Sequence, residues 1–485
     1  MAIVEDPSEQ GSGSGSSGTS EAPAAAEEAS RRPVLPDDVI FAILLLLPDF
    51  VALFRCSVVC KTWRRMLTSA AFLNTRTWPD GSRPSLLGYF AQRHRIGGGG
   101  SSRRRKISRL FPTLAPALIP SPGSHLGPER RFLNSFFRDD AGVLDDAKPL
   151  AARGGLLLVL VRAPPPPPPA SSSRGRNGGG SSSLLRLCVC NMYTGRLDLL
   201  PPLDAGFLDG DGVKGYGLVT AADHGDAGAP HRPTEGYNTF FQVLLVGVAR
   251  EERQLHLIRF SSSVAAAAGD SGTMWCSHNC SQLTGVALRG PYGCCIASVN
   301  VATGTAHWLF HGNDAVVPSL YTLDVSISTW NISATLLTFD DGLPVIFREA
   351  LSHAWLGTSL DPRLMLVYVR NNNLAIWAQR NEDQQVGNAG WGLAHVVHID
   401  DVEPGLFGTE SLTPVCMGEN SGTVLALYPS NPECAYVINL QSGAATKLEG
   451  WTRSFNYMTA VPYEINWPLF FLCRLGLRPY MLGAA

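Results

Sequence analysis

Between Leu35 and Leu67 the chain reads LPDDVIFAILLLLPDFVALFRCSVVCKTWRRML, and this stretch limits the fold more than any other. Pro36 suits the first turn of a helix, and Asp37 and Asp38 set negative charge on the positive end of its dipole. From Val39 to Leu47 the residues are apolar almost throughout, which marks a helix covered on more than one side, and Pro48 ends it. Nine apolar residues fall short of the roughly 20 that cross a bilayer. Past Pro48-Asp49, Val59, Trp63 and Leu67 recur at i, i+4 and i+8, with Lys61, Arg64 and Arg65 turned away, so a second amphipathic helical face is expected. Three helices drawn from so few residues cannot enclose all this apolar surface. Either a partner covers the remainder, or the stretch is a helical hairpin packed on its own domain.

The residues themselves resemble an F-box. Leu35-Pro36 opens the motif, Ile43-Leu44 and Leu47-Pro48 form its middle, and Val59-Cys60-Lys61-x-Trp63-Arg64 closes it. The match spans under a tenth of the chain. The resemblance implies docking onto the small Skp-family adaptor of a Skp-Cullin-F-box ubiquitin ligase, and through it to a cullin, while the rest of the chain selects a target protein. It assigns the adaptor contact to Leu35, Pro36, Val39, Pro48, Val59, Cys60, Lys61 and Trp63. Some of these residues alternatively line the inside of the helical unit, and the sequence does not separate the two roles.

A chain of 485 residues holds roughly three domains, or one small module and one large all-β domain, and the second division is the one expected. The formal net charge of -2 provides no global field toward nucleic acid or an anionic membrane, so partners are recognised by shape. Charged residues make up 16% and hydrophobic ones 45%, which fills a large core and leaves little for solvated helical surfaces. The 11 cysteines are odd in number and scattered, and no apolar signal segment opens the chain. They read as reduced thiols of a cytoplasmic or nuclear protein. On that reading the sequons at Asn279 and Asn331 carry no sugar.

Residues 1–30 are acidic and rich in Gly, Ser, Ala and Pro, the composition of a disordered tail. The helical module is expected over 31–75 and an irregular linker over 76–140, which holds Gly97 to Gly100, the basic cluster Arg103 to Lys106 and four spaced prolines. The basic cluster reads as solvated linker, with an import signal left open. Phe132, Phe136 and Phe137 are expected to help this segment pack on the all-β domain. From 141 to 465 short apolar runs alternate with Gly, Pro, Asn and Asp, the pattern of strands and hairpins. Gly155 to Val161 and Leu184 to Cys190 read as neighbouring strands, with a disordered surface insertion at 163–183 that contains six consecutive prolines. Further strands are expected at 240–248, 255–260, 294–299, 320–325, 334–339, 364–369, 374–378, 393–399, 423–428 and 434–439.

Asn191-Met-Tyr-Thr194-Gly195, Asn300-Val-Ala-Thr303-Gly304 and Asn439-Leu-Gln-Ser442-Gly443 each link two apolar runs. The pattern supplies a side-chain acceptor and a Gly for a left-handed position, so each is a hairpin connection. Their spacings of 109 and 139 residues share no period. The first copy continues into Leu199-Leu200-Pro201-Pro202 and resembles hairpins of the β-propellers that lie behind the F-box in many plant F-box proteins. The expected fold is therefore a small all-α three-helix module followed by a large all-β domain, a β-propeller of six or seven four-stranded blades. A β-sandwich or an irregular all-β domain is the alternative. Residues 466–485 are expected to be a tail or a closing strand.

No catalytic constellation emerges. Gly210 to Gly215 spells GxGxxG within a polar stretch that opens no helix and reads as a flexible turn. Cys276, His278 and Cys280 match no common zinc spacing. The carboxylate pairs Asp145-Asp146, Asp340-Asp341 and Asp400-Asp401 carry turn chemistry. The expectation is a non-enzymatic substrate receptor with no cofactor and no metal. Two other readings stand beside it: a propeller hydrolase whose F-box sets only its turnover, and an adaptor-bound scaffold outside the ligase.

Overall fold

The computed structural model describes residues 35–47, 49–78, 85–93, 115–162, 184–220, 223, 240–249, 255–262, 275–280, 295–296, 298–300, 304–311, 320–339, 354–358, 363–370, 373–380, 390–398, 412–428, 431 and 433–476. The acidic tail, the basic cluster, the proline insertion, Asp340-Asp341 and Asp400-Asp401 lie outside the described residues. The chain divides into two compact units, one ending at Arg76 and the other beginning at Thr77.

Among the described residues of the first unit four helices, not three, are present: α1 (Asp37–Leu46), α2 (Phe50–Ser57), α3 (Lys61–Leu67) and α4 (Ala70–Thr75). Pro36 is extended and sits just before α1 rather than inside it, and its carbonyl accepts the first helical bond from Ile40 N at 3.1 Å. The other three helices start on side-chain caps. Asp49 Oδ1 accepts from Ala52 N at 2.6 Å, Cys60 Sγ from Trp63 N at 3.4 Å, and Ser69 Oγ from Phe72 N at 3.2 Å. Each helix sends one side chain fully inside, Leu44, Leu53, Leu67 and Phe72 in turn. Phe41 meets Phe72 edge-on at 6.0 Å. The expected stripe Val59-Trp63-Leu67 breaks at its start, because Val59 lies in the turn before α3 and is exposed.

The second unit is a ring of six β-sheets. Blade 2 holds Lys148–Arg153, Leu156–Leu160, Leu187–Asn191 and Arg196–Leu199, from the innermost strand outward. Blade 3 holds Leu208–Thr220, Phe241–Ala249, Leu255–Ser261 and Trp275–Cys280, with Cys295–Ile296 added in parallel on its inner strand. Blade 4 holds Ser298–Asn300, Thr305–His311, Leu320–Ser326 and Ile332–Leu336. Blade 5 holds Ala354–Thr358, Leu364–Arg370, Asn373–Gln379 and Trp391–His398. Blade 6 holds Thr413–Met417, Thr423–Leu427, Ala435–Asn439 and Ala445–Lys447. Blade 1 draws on both ends of the unit, with Phe455–Ile465 innermost, then Ser85–Arg93, Ala117–Pro120 and Arg131–Phe132. Each innermost strand touches the innermost strand of the next blade, and the circuit closes where Phe455–Ile465 meets Lys148–Arg153. This is a six-bladed β-propeller.

Alternation along the strands sends apolar side chains to both faces of a blade, and these meet those of its neighbours. Trp308 and Phe310 of blade 4 join Leu244 and Leu257 of blade 3. On the other face, Leu309 of blade 4 joins Leu366 and Trp377 of blade 5. Equivalent clusters fill the gaps between blades 2 and 3, 5 and 6, and 6 and 1. Blades 1 and 2 meet through Tyr463, whose hydroxyl donates to Gly155 O at 3.3 Å; within blade 1 Phe90 lies edge-on to Tyr463, and it also meets Phe136 of the connection to blade 2 edge-on.

Several expectations change on this structure. The segment 76–140 is not an irregular linker, since it supplies three strands of blade 1; its Phe136 packs against Phe90 of the same segment, while its Phe132 packs against the cluster between blades 6 and 1. The propeller unit accordingly starts well before residue 141. The closing strand is Phe455–Ile465, whereas Trp467–Gly476 is a helix, α5. Asn466 caps α5 through Leu469 N at 3.0 Å. Trp467 Nε1 donates to Ser85 Oγ at 2.6 Å, and Arg474 Nη2 to Met192 O at 3.1 Å. The Gly210 to Gly215 segment lies in strand Leu208–Thr220, where two register shifts absorb its extra residues, and is not a turn.

Asn191 Oδ1 accepts from Tyr193 N and Thr194 N, both at 3.1 Å, and Asn439 Oδ1 does the same for Gln441 N and Ser442 N at 2.9 Å. Both turns join the third and fourth strands of their blades, whereas the copy at Asn300 joins the first and second strands of blade 4. Different positions within the blade explain the missing common period.

Gly155 sits in the left-handed region and is closely confined. Its φ is +81° and the Tyr193 ring occupies the space a Cβ would need. Gly155→Ala is expected to cost about 2–4 kcal/mol, from a strained φ plus an overlap that neither backbone nor ring can relieve. Gly304→Ala shares the strain, at φ +60°, but meets open space, and should cost only about 1–2 kcal/mol. Thermal melts of the two variants compare them directly, and equal losses would refute the packing argument.

Candidate functional site

Two features of the structure do more than fill a core: an apolar stripe on the helical unit and an ion-paired bar across the propeller channel.

On α1, Leu44 is 1% exposed and points inward, while Val39, Ile43 and Leu46 are 38%, 47% and 81% exposed. These three fall at i, i+4 and i+7, one face of a helix, and Leu35 and Pro36 lead into it, both exposed. Val58 and Val59, in the turn between α2 and α3, are also exposed. Among the described residues the unit fully encloses four large apolar side chains, and much of its remaining apolar surface is left in water.

The expected contact residues separate into groups on this structure. Leu35, Pro36, Val39, Val59 and Lys61 are exposed, as a docking surface requires. Cys60 is exposed too, but its sulfur caps α3, so it also builds the unit. Trp63 is half-buried, and Pro48 lies outside the described residues. Ile43, Leu46 and Val58 are exposed as well, although the sequence reading did not place them on that surface. Extending Leu35 and Val39 by helical spacing would have found the first two, but a helix apolar all round gave no reason to choose that face.

In the propeller, Arg153 closes the innermost strand of blade 2, with 10% of its side chain exposed. Its Nη2 donates to Asp223 Oδ1 at 2.6 Å and its Nε reaches both Asp223 oxygens, while Nη1 meets the Glu419 carboxylate. Asp223 also accepts from Thr220 N at 2.6 Å and from Thr220 Oγ1 at 3.0 Å. Glu419 lies in the blade 6 turn, and its carbonyl accepts from Thr358 Oγ1 of blade 5 at 3.4 Å. Beside it, Glu464 of blade 1 accepts from Asn420 N and Ser421 N, each at 2.9 Å. Burial alone would discharge Arg153, but Asp223 and Glu419 outweigh it and hold the guanidinium above its ordinary pKa. Burial likewise favours a neutral Asp223, and Arg153 with the Thr220 donors reverses this, holding the carboxyl below its usual value.

Other motifs yield no chemistry. Among the described residues no group of three or more His, Cys, Asp or Glu side chains is arranged to hold a metal ion. Cys276 and His278 lie on the outermost strand of blade 3. Asp146 pairs with Arg162 at 2.9 Å, and Asp145, raised by burial and by the nearby Asp139 and Asp146, lies in the same turn. Among the described residues no helix is long and apolar enough to cross a membrane.

Residues 33–73 match the family model described as F-box-like. No curated protein matches the chain significantly by sequence. Solved structures similar to it include a protein from Lactobacillus plantarum, with 9% identity over 76% of this chain and 83% of that one and a TM-score of 0.37. A second is the SapL1 lectin in complex with α-methyl fucoside, with 12% identity over 64% and 80% and a TM-score of 0.30. A third is the β-propeller domain of the Trilobed protease from Pyrococcus furiosus, with 7% identity over 70% and 88% and a TM-score of 0.29. The chain thus combines a short helical F-box-like region with a large six-bladed β-propeller.

The ion-paired bar has an acid signature. Asp223 titrates below its unfolded value, so its stabilisation is complete above about pH 4 and is lost as pH falls through the depressed folded pKa. In Arg153→Met the buried carboxylate has no counter-charge and protonation relieves it. Melting temperatures measured from about pH 6 to 3 should therefore fall more steeply for the natural chain than for Arg153→Met. Parallel curves would mean that Asp223 draws nothing from the guanidinium.

Proposed function

We propose that this chain is a non-catalytic substrate-receptor subunit of a Skp-Cullin-F-box ubiquitin ligase, in which the helical unit binds the Skp-family adaptor and the propeller binds a target protein. The observation that carries the reading is the exposed stripe Val39-Ile43-Leu46, within the segment that matches the F-box-like family. Apolar side chains this exposed, on a unit with its own small core, are explained by a partner that covers them. The propeller supports the second half, since loops carried on a β-scaffold are where binding residues concentrate. On this reading ubiquitin chemistry takes place on other subunits, the protein works in the cytoplasm or nucleus, and no cofactor is needed.

The adaptor face is tested by substitutions that spare the core. Ile43→Glu and Leu46→Glu remove exposed apolar contacts and should weaken binding to a purified Skp-family adaptor by about 2 kcal/mol or more each, with unchanged helical circular dichroism. Leu44→Ala should instead unfold the helical unit, at a cost of about 2–5 kcal/mol for a buried leucine. Full-strength binding by both Glu variants would overturn the assignment.

The division of labour has its own test. A fragment of residues 77–485 retains the whole propeller unit and lacks the helical one. Overexpressed, it should capture the target without recruiting adaptor or cullin, and so lengthen that protein's half-life in a proteome-wide turnover measurement. A propeller hydrolase would instead keep its activity in the fragment and change no protein's lifetime, and in a pull-down with the full chain an adaptor-bound scaffold would bring down adaptor but never cullin.

A further inference from the structure

The bar joins blades that are not neighbours. Arg153 ends the innermost strand of blade 2, Asp223 lies just past that of blade 3, and Glu419 just past that of blade 6. Thr358 ends the innermost strand of blade 5, and Glu464 is next to last in that of blade 1. Successive blades repeat the same antiparallel order, so their innermost strands all run one way along the channel. The five groups therefore meet at a single mouth, where these strands finish. In a ring of six, blade 3 stands opposite blade 6, and Asp223–Arg153–Glu419 spans the channel between them.

Elsewhere neighbouring blades are held together by apolar clusters at five junctions, and blades 1 and 2 by the Tyr463–Gly155 contact. Such a ring opens by parting one pair of blades, and the strand pairing inside blade 1 is its closure. We propose that the Asp223–Arg153–Glu419 bar is a second latch on the ring, which ties blade 6 to blades 2 and 3 across the channel so that these blades open together. Arg153 is the central element. Its fork engages Asp223 through two nitrogens and Glu419 through the third, so its loss releases both ends of the bar at once. A buried carboxylate left without its counter-charge is costly, which makes the coupling strong.

The test uses the full chain with Arg153→Met, Glu419→Gln and the double substitution, followed by hydrogen exchange and thermal melts. Glu419→Gln keeps the side chain's size at a partly exposed position, so it reads the latch even where Arg153→Met does not fold. In each folded single variant the amides of 418–422, 148–153 and 213–220 should exchange at least about tenfold faster, while those of 320–326 and 364–370 keep their natural rates. The double variant should melt no lower than the worse single one, because both substitutions break the same link. Faster exchange spread evenly over all six blades, faster exchange confined to one blade, or melting losses that add in the double variant would each overturn the latch.

Discussion

The pairing of Phe455–Ile465 with Ser85–Arg93 is the contact on which the propeller depends. It joins the two ends of the unit in one sheet, with Tyr89 opposite Pro462 and Phe90 opposite Val461, and Thr459 Oγ1 accepting from Gln92 N across 367 positions of sequence. Until this sheet forms, every other blade has at most an open row of neighbours, and the apolar faces of the terminal blades stay in water. Burying each large side chain of such a face contributes about 1.5–3 kcal/mol, so closure secures the interfaces on both sides of blade 1. The cost is one long loop closure, which grows only slowly with length but makes the fold dominated by distant contacts. The groups around this seam are correspondingly tight. Gly155, Tyr193 and Tyr463 meet where blades 1 and 2 join, and α5 comes directly after the closing strand to fix Ser85 and Met192.

Charge is used sparingly and placed at the centre. A buried arginine between two carboxylates gains little over an apolar packing of the same volume, because desolvating three ions offsets most of their attraction. What such a group supplies is direction, since a fork of donors accepts only one arrangement of its partners.

Burial also decides how much of the fold was legible in the sequence. The second and third strands of the blades are buried on both faces, so Leu156–Leu160, Phe241–Ala249, Leu364–Arg370 and Ala435–Asn439 appear as continuous apolar runs, and all four were expected. The innermost strands line the channel and carry Gly, Pro and charge. KPLAAR at 148–153, AWLGT at 354–358 and TPVCM at 413–417 look like loops when read alone, and the bar was invisible for the same reason. Asp223 and Glu419 sit in turns far from Arg153 in sequence, and only the closed ring brings them to one point. The GxGxxG stretch failed differently, since its glycines serve a bulged strand, a use that local composition does not distinguish from a turn.

The helical unit presents the opposite case, in which an excess of apolar residues hid the site. A nine-residue run from Val39 to Leu47 is enough to build a core contact on one side and a docking contact on the other, and nothing in its periodicity says which residue serves which. The fold decides through burial. Asp49, Cys60 and Ser69 start α2, α3 and α4 at fixed points, and each of these helices buries one large apolar side chain, Leu53, Leu67 and Phe72, as α1 buries Leu44. Once Leu44 is committed inward, helical geometry turns Ile43 and Leu46 by about 100° and 200° around the axis, and both are left in water. One buried leucine thus sets which apolar residues of α1 face the solvent.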